Sequence, residues 1–337
     1  MTPAPPPGAL FGRTTSPGTV TGPNCTLTRV RGVSVGQVET PDRATGVTVI
    51  RFDPPAAVVA DLRGGATGTF DTGSLAVDAT FGRRWAVFLS GGSLYGLDAA
   101  RGIRVRLLEE GLGLRAFGNP NPVLPISGAI LFDLPPTLGP IPDYLPLGYE
   151  AARVASRRPV AEGRVGAGAG ATVGKYLGRD GAMAGGIGSA ARAVPGYGRV
   201  GVLVAVNSVG AVRDPATGRW VAGARRAGRL VPPAGGAAHR LPSTGTTLSL
   251  VATDVAVDRP TLARVAAIAH AGVAAAIFPF QSSSDGDILF AASTGVAGAP
   301  RPERRPGEIA DRIGSAAAEL GAEAVVRAVS AAPTRRR

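Results

Sequence analysis

The sequence predicts a single large α/β domain, and three observations carry that reading. Runs of β-branched and aromatic residues alternate with runs of helical period, with no composition shift to mark a domain break. The 337 residues are 45% apolar and 18% charged, which suits a folded chain with a sizeable core and not a disordered one. Glycine (49) and proline (29) stay just short of a low-complexity composition, and no internal repeat is present.

The elements follow in chain order. Residues 1–24 hold Pro3, Pro5, Pro6, Pro7, Pro17 and Pro23 without an apolar period and read as a flexible leader; 25–337 read as the folded domain. Short β pieces fill 30–59, among them Gly46-Val-Thr-Val-Ile-Arg51, and Trp85-Ala-Val-Phe-Leu89 is a further strand. Ser90-Gly-Gly-Ser-Leu-Tyr-Gly-Leu-Asp98 turns that strand into a helix ending near Glu110, and 148–158 reads as another helix. A glycine-rich stretch, 163–188, precedes the strand Val200–Val206. Residues 213–243 form an exposed Arg/Gly/Pro loop. The strand Thr246–Thr253 follows, with Leu248, Leu250 and Ala252 on one face. Asp258 caps a helix with Pro260 in its first turn, running to about Ile277. Ile288–Ala292 is a strand, and a last helix over 307–330 places Ile309, Ile313, Leu320 and Val329 at helical spacing.

Composition narrows the chemistry. Cys25 stands alone, so an intramolecular disulfide or a cysteine zinc site is excluded, and His239 and His270 are too few for a histidine-rich metal site. No metal and no cofactor are expected. No 18-residue apolar run exists and no basic-then-apolar segment opens the chain, so no membrane span is expected and the location is read as cytoplasmic. The net charge is +12, and residues 151–245 contribute +11 of it. A basic stretch can mean nucleic acid, but this one lacks interleaved aromatics and any binding motif, so a solvated arginine surface is the better reading. Of the 36 basic residues only Lys175 is lysine. Burial can shift a lysine to a useful pKa, which arginine does not allow; the count alone fits either chemistry or chance survival on the surface.

Several motifs almost fit. Gly91-Gly-Ser-Leu-Tyr95 approximates a nucleophile elbow but ends in tyrosine where the tight turn needs glycine. Val165-Gly-Ala-Gly-Ala-Gly-Ala-Thr-Val-Gly-Lys175 approximates a phosphate loop, with Ala169 for the first glycine and Tyr176 for the magnesium-binding hydroxyl. Counted from Gly166 it also meets a loose dinucleotide pattern, but no strand leads into it and no acid lies about 20 residues on. His270 falls mid-helix among Ala and Ile, as a core or boundary histidine does.

A hydrolytic site here needs a nucleophile that works with lysine or an amine. Ser243-Thr-Gly-Thr-Thr-Leu-Ser-Leu-Val-Ala-Thr-Asp254 supplies one, where the loop ends at Gly245 and a strand starts at Thr246. This segment resembles the self-cleavage site of the DmpA-like aminopeptidases, a family that includes β-peptidyl aminopeptidases and nylon-oligomer hydrolases. The resemblance extends over Asp61-Leu-Arg-Gly-Gly65, Ser90–Asp98, Ala129-Ile-Leu-Phe-Asp133, Gly166–Lys175, Gly185-Gly-Ile-Gly-Ser189, Val204-Ala-Val-Asn207 and Ser284-Asp-Gly-Asp-Ile-Leu-Phe290.

The resemblance implies a four-layer α/β/β/α sandwich, cut between Gly245 and Thr246 into an α chain 1–245 and a β chain 246–337. The pairs are expected to assemble as homo-oligomers, a tetramer of heterodimers. It implies Thr246 as nucleophile, Lys175 as the active-site lysine, Asn207 as oxyanion donor, Asp285 and Asp287 as the pair that holds the Thr246 amine, and Tyr95 as a pocket residue. A free Thr246 would carry a hydroxyl beside an amine of pKa about 7.7–8.0, a pairing that activates such nucleophiles. The implied substrate is a small peptide or ω-amino amide. Asp285-Gly-Asp287 and the Thr-Thr start are closer to the nylon-oligomer hydrolases, which have asparagine where Gly245 stands. An ornithine-type acetyltransferase, similar in fold and self-cleavage, is the alternative, and a basic nucleic-acid-binding protein a remote one.

Overall fold

The computed structural model describes residues 22, 24–116, 118, 120–134, 140–233, 244–300 and 304–332. Apart from Gly22 and Asn24, the expected leader lies outside them, as do residues 234–243 of the expected loop.

Nine strands form the main sheet: β1 (Val33–Glu39), β2 (Gly46–Leu62), β3 (Thr69–Phe70), β4 (Arg83–Ser90), β5 (Ile126–Ile130), β6 (Gly186–Ala193), β7 (Arg199–Asn207), β8 (Thr246–Thr253) and β9 (Ile288–Ser293). Their order is β3-β5-β4-β2-β9-β8-β7-β6, with β1 also on β2. The long β2 joins two layers. Its first half, 46–52, pairs with β1 and β4, and its second half, 57–62, pairs with β9. The register against β4 shifts between Arg51 and Ala56, where Pro54 and Pro55 bring no N–H to the ladder.

Side-chain alternation then sets three cores. Ile50, Phe52, Ala56 and Val58 of β2 pack with Val87, Leu89, Leu203, Ala205, Leu248, Leu250, Ile288 and Phe290, filling the space between the two sheet layers. On the outer face of the first layer, Val47, Val49, Ala86 and Phe88 meet Ala100, Ile103 and Leu107 of α1 (Ala99–Glu109) and Ala151 and Ala152 of α2 (Tyr144–Arg153). On the outer face of the second, Val202, Val204, Val206, Val251 and Leu289 meet α3 (Arg259–Ala276) and α4 (Pro306–Ser330). The architecture is α/β/β/α, as the resemblance implied.

The local signals explain most element boundaries. The Asp258 carboxylate accepts from Thr261 N at 2.8 Å and caps α3. Ile309, Ile313 and Leu320 line the buried face of α4. The helix expected over 148–158 is shifted: it starts at Tyr144 because Asp143 caps it and Pro146 fits a first turn, and it stops at Arg153. The strand β6 carries no strong sequence signal because it is built on Gly186 and Gly188; pairing with β7 along its whole length defines it. The described part of the 213–243 loop holds short strand pieces at Trp220–Ala222, Arg225–Arg226 and Arg229–Leu230.

Gly188 shows how closely α4 approaches the sheet: a Cβ there would lie 1.9 Å from Ala324 O. Gly188→Val is therefore expected to destabilise by at least about 1–3 kcal/mol in denaturant unfolding. Gly307→Ala, with open space around it, is expected to stay within about 1 kcal/mol of the wild type. Equal midpoints for Gly188→Val and the wild type would mean that α4 does not depend on this contact.

Candidate active site

The ladder between β7 and β8 builds the site. Thr246, the first residue of β8, is the register partner of Asn207, the last of β7. Both share the parity of Leu248, Leu203 and Ala205, so both face the space between the sheet layers. Each is buried.

Lys175 comes to Asn207 from a neighbouring turn. Gly174 N donates to Gly210 O and Lys175 N to Val209 O, both at 2.9 Å, which ties the turn Lys175–Leu177 to the segment just after β7. The Lys175 ammonium is 1% exposed and donates to Asn207 O and Asn207 Oδ1, each at 2.8 Å, and to Thr172 O at 3.1 Å. Burial lowers its pKa to about 7; the Arg179 charge adds to that, and Asp285, Asp133 and Asp287 oppose it. No helix follows Lys175, only a 3₁₀ turn, so the phosphate-loop pattern has no helix N-terminus to hold an anion.

Asn207 is fixed from both ends. Its Oδ1 accepts from Lys175 and from Thr172 N, and its Nδ2 donates to Phe132 O at 2.9 Å. Thr246 Oγ1 donates to Gly245 O at 2.5 Å, and the same carbonyl accepts from Gly286 N at 3.0 Å. Gly286 permits that approach, since a Cβ on it would stand 2.8 Å from Thr246 Oγ1. Lys175 thus reaches the threonine through Asn207, its ladder partner, and not through a direct hydrogen bond.

Asp285 and Asp287, two residues apart, would share a face only on a strand, and the strand starts at Ile288. A turn brings them in instead, with Asp285 bridged to Gly245 in parallel register. Asp287 Oδ1 accepts from Thr247 N at 2.6 Å and Oδ2 from Gln281 N at 2.8 Å. Burial, and then the neighbouring Asp285 charge, raise its pKa to about 7. Asp285 Oδ2 accepts from Ser282 N and Oγ. Its Oδ1 is buried without a partner, 2.7 Å from where a Cβ on Gly245 would sit.

Tyr95 stands apart. It is 49% exposed on the 3₁₀ turn Ser93–Asp98, and its hydroxyl takes no part in the bonds linking the other five residues. His270 is buried on the helix side of the sheet, with Nδ1 bonded to Asp61 Oδ2 at 2.9 Å. Four contributors carry no assigned role in the sequence reading: Thr172, the Phe132 carbonyl, the Gly286 N–H and Asp133. Asp133 accepts from Gly92 N at 2.7 Å, and burial raises its pKa to about 6. All four lie inside segments that carry the resemblance, but none was singled out, because Phe132, Gly286 and Thr172 act mainly through backbone groups and Asp133 stands only as the end of Ala129-Ile-Leu-Phe-Asp133. Among the described residues no group of His, Cys, Asp and Glu could hold a metal ion, and no helix is long and apolar enough to cross a membrane.

The arrangement offers a hydroxyl set on a carbonyl, a backbone donor to that carbonyl, a buried amine near neutrality and two buried carboxylates, the groups of acyl transfer. The comparisons agree with that chemistry. The model of peptidase family S58 matches residues 25–336. The chain is 36% identical over 337 residues to the uncharacterized aminopeptidase Rv1333 of Mycobacterium tuberculosis (strain ATCC 25618 / H37Rv), covering 90% of this chain and 93% of that one. It is 31% identical over 300 residues to the 6-aminohexanoate-oligomer endohydrolase of Kocuria sp. (strain KY2), covering 86% and 80%. Two solved structures share the fold, each covering 93% of this chain and 88% of the other. They are a β-aminopeptidase of Burkholderia sp. (TM-score 0.65, 23% identity) and the L-aminopeptidase D-Ala-esterase/amidase of Ochrobactrum anthropi (TM-score 0.66, 22%), described as a variant of the Ntn hydrolase fold. With the match spanning residues 25–336 of 337, the chain belongs to peptidase family S58 and is a hydrolase acting on amide bonds.

Proposed function

We propose that the protein cuts its own Gly245–Thr246 bond and then hydrolyses amide substrates through an ester on Thr246. The observation that carries this reading is the Thr246 hydroxyl lying on the carbonyl of the preceding residue, with Gly286 N–H on the same oxygen. Thr246 Oγ1 attacks the Gly245 carbonyl carbon and gives up its proton to the neutral Lys175 amine, which leaves its Asn207 contacts to reach the hydroxyl. The oxyanion is held by Gly286 N–H and by the Asn207 amide hydrogen not used on Phe132 O. The C–N bond breaks as the Thr246 nitrogen takes a proton, leaving an ester that water opens to a Gly245 carboxylate and a free Thr246.

The new α-amine emerges beside the unpartnered Asp285 Oδ1 and near Asp287, buried acceptors that hold and tune it. In turnover, Thr246 Oγ1 takes the acyl group of a substrate, the amine product leaves with a proton, and water hydrolyses the ester. Tyr95 remains in this proposal as a residue of the outer pocket. The substrates are N-terminal residues of short peptides or linear ω-amino amides, in line with the names of the relatives.

Because β8 lies between β7 and β9, the two fragments stay in one sheet after cleavage. A denaturing gel is expected to show two pieces, the smaller starting at Thr246, that co-migrate in native gel filtration; Thr246→Ala is expected to remain one inactive chain. A small fragment starting at any other residue would refute the assignment. Lys175→Arg is expected to lose about 10²–10⁴-fold in processing and turnover, because a guanidinium cannot accept the proton at neutral pH. The pH profile follows from the buried pair. Lys175 becomes neutral and Asp287 charged as pH rises through about 7, so kcat/KM is expected to climb there, with an apparent pKa belonging to the coupled set. A profile flat from pH 5 to 8 would remove Lys175 as the base.

A further inference from the structure

The charges around the site are sorted by depth. Asp133, Asp285 and Asp287 are buried about Lys175. At the surface beyond them the sign reverses. Arg179, four residues after Lys175, is exposed, its guanidinium carbon 5.3 Å from the centroid of the Phe132 ring and its Nη1 donating to Leu134 O at 2.6 Å. Phe132 is the residue whose carbonyl holds the Asn207 amide, so one residue joins the guanidinium to the site. Arg179 makes no ion pair among the described residues, not even with Asp180 beside it, and its Nε and Nη2 make no hydrogen bond there.

A second basic element borders the first. Arg225 O lies 2.8 Å from where a Cβ on Gly181 would sit, which brings the hairpin of Arg225, Arg226 and Arg229 against the Arg179–Gly181 turn. All three arginines are exposed and none has an ion-pair partner among the described residues.

We propose that Arg179 receives the free carboxylate on the leaving side of the substrate, so that the enzyme prefers short amides ending in –COO⁻, with the Arg225–Arg229 hairpin steering them in. This rests on the amide-hydrolase reading above and adds the orientation and the class of substrate. An aminopeptidase substrate has a cationic end and, when short, an anionic one. Asp285 and Asp287 hold the Thr246 amine, which leaves buried Asp133 to suit the amine of the substrate; the arginine rim disfavours an amine beside it, so the amine end lies inward and the carboxylate stays outside. The Phe132 stack and the Leu134 bond hold the guanidinium plane and leave the Nε/Nη2 edge for a bidentate contact, a geometry that arginine favours over lysine.

The test uses the processed enzyme and a panel of dipeptides and the linear 6-aminohexanoate dimer, each as the free acid and as the C-terminal amide. The wild type is expected to favour the acid by roughly 3–10-fold in kcat/KM, since the contact is partly solvated. Arg179→Gln is expected to bring the acid-to-amide ratio most of the way to one, and raising salt is expected to lower that ratio in both proteins, by more in the wild type. The ratio separates substrate recognition from the effect of Arg179 on Lys175, which acts on both forms alike. An equal ratio in wild type and variant would overturn the proposal. If no compound is turned over in either form, the amide-hydrolase reading of this panel fails instead. Calorimetric binding of acid against amide to wild type and Arg179→Gln then decides the Arg179 contact by itself.

Discussion

The site depends on one buried cation. Lys175 gives up nearly all contact with water, and its ammonium is satisfied by Asn207 and Thr172. Taking a charge out of water costs several kcal/mol unless partners compensate, and here three carboxylates and three oxygen acceptors do so incompletely. The shortfall brings the amine close to neutrality, where one group can lose or hold a proton with little bias. The same bonds lock Asn207, and Asn207 sets the end of β7 against Thr246. Position of the hydroxyl and basicity of the amine are thus two effects of a single contact.

The sheet makes that contact possible. β2 serves both layers, changing partners after its two prolines, and closes an apolar core between them. The polar groups of the site gather where strands end, at Asn207, Thr246 and the turn before Ile288, so the cost of burying them falls at the margin of the core and not in it. Backbone donors from these strand ends serve as fixed dipoles that do not need to reorganise.

Much of this was legible in the sequence. The strands around Val200–Val206 and Thr246–Thr253 and both C-terminal helices follow from apolar period, caps and β-branched runs. The lone lysine among 36 basic residues pointed to a position that the structure buries. What was not legible is of two kinds. β6 is a strand by virtue of its neighbours, and its glycines argue against it locally. The contributions of Gly286 N–H, Phe132 O and Thr172 O are made by the backbone, which every residue type possesses, so no side-chain pattern records them. Arg179 was hidden by abundance: among 35 arginines, only its place over Phe132 distinguishes it.

The position of Thr246 at the start of an interior strand has a thermodynamic consequence. On the proposed cleavage the helix layer α3/α4 would belong wholly to one polypeptide and the layer α1/α2 to the other, with the core between the sheets shared. Folding of the uncut chain is unimolecular, whereas reassembly of the cut one is a second-order encounter that lacks the effective concentration of a covalent tether. The mature molecule would then fold once and persist by the slowness of its unfolding, a kinetic stability that the precursor, able to refold by itself, does not need; dilution would act only on the reassembly of fragments that have already separated.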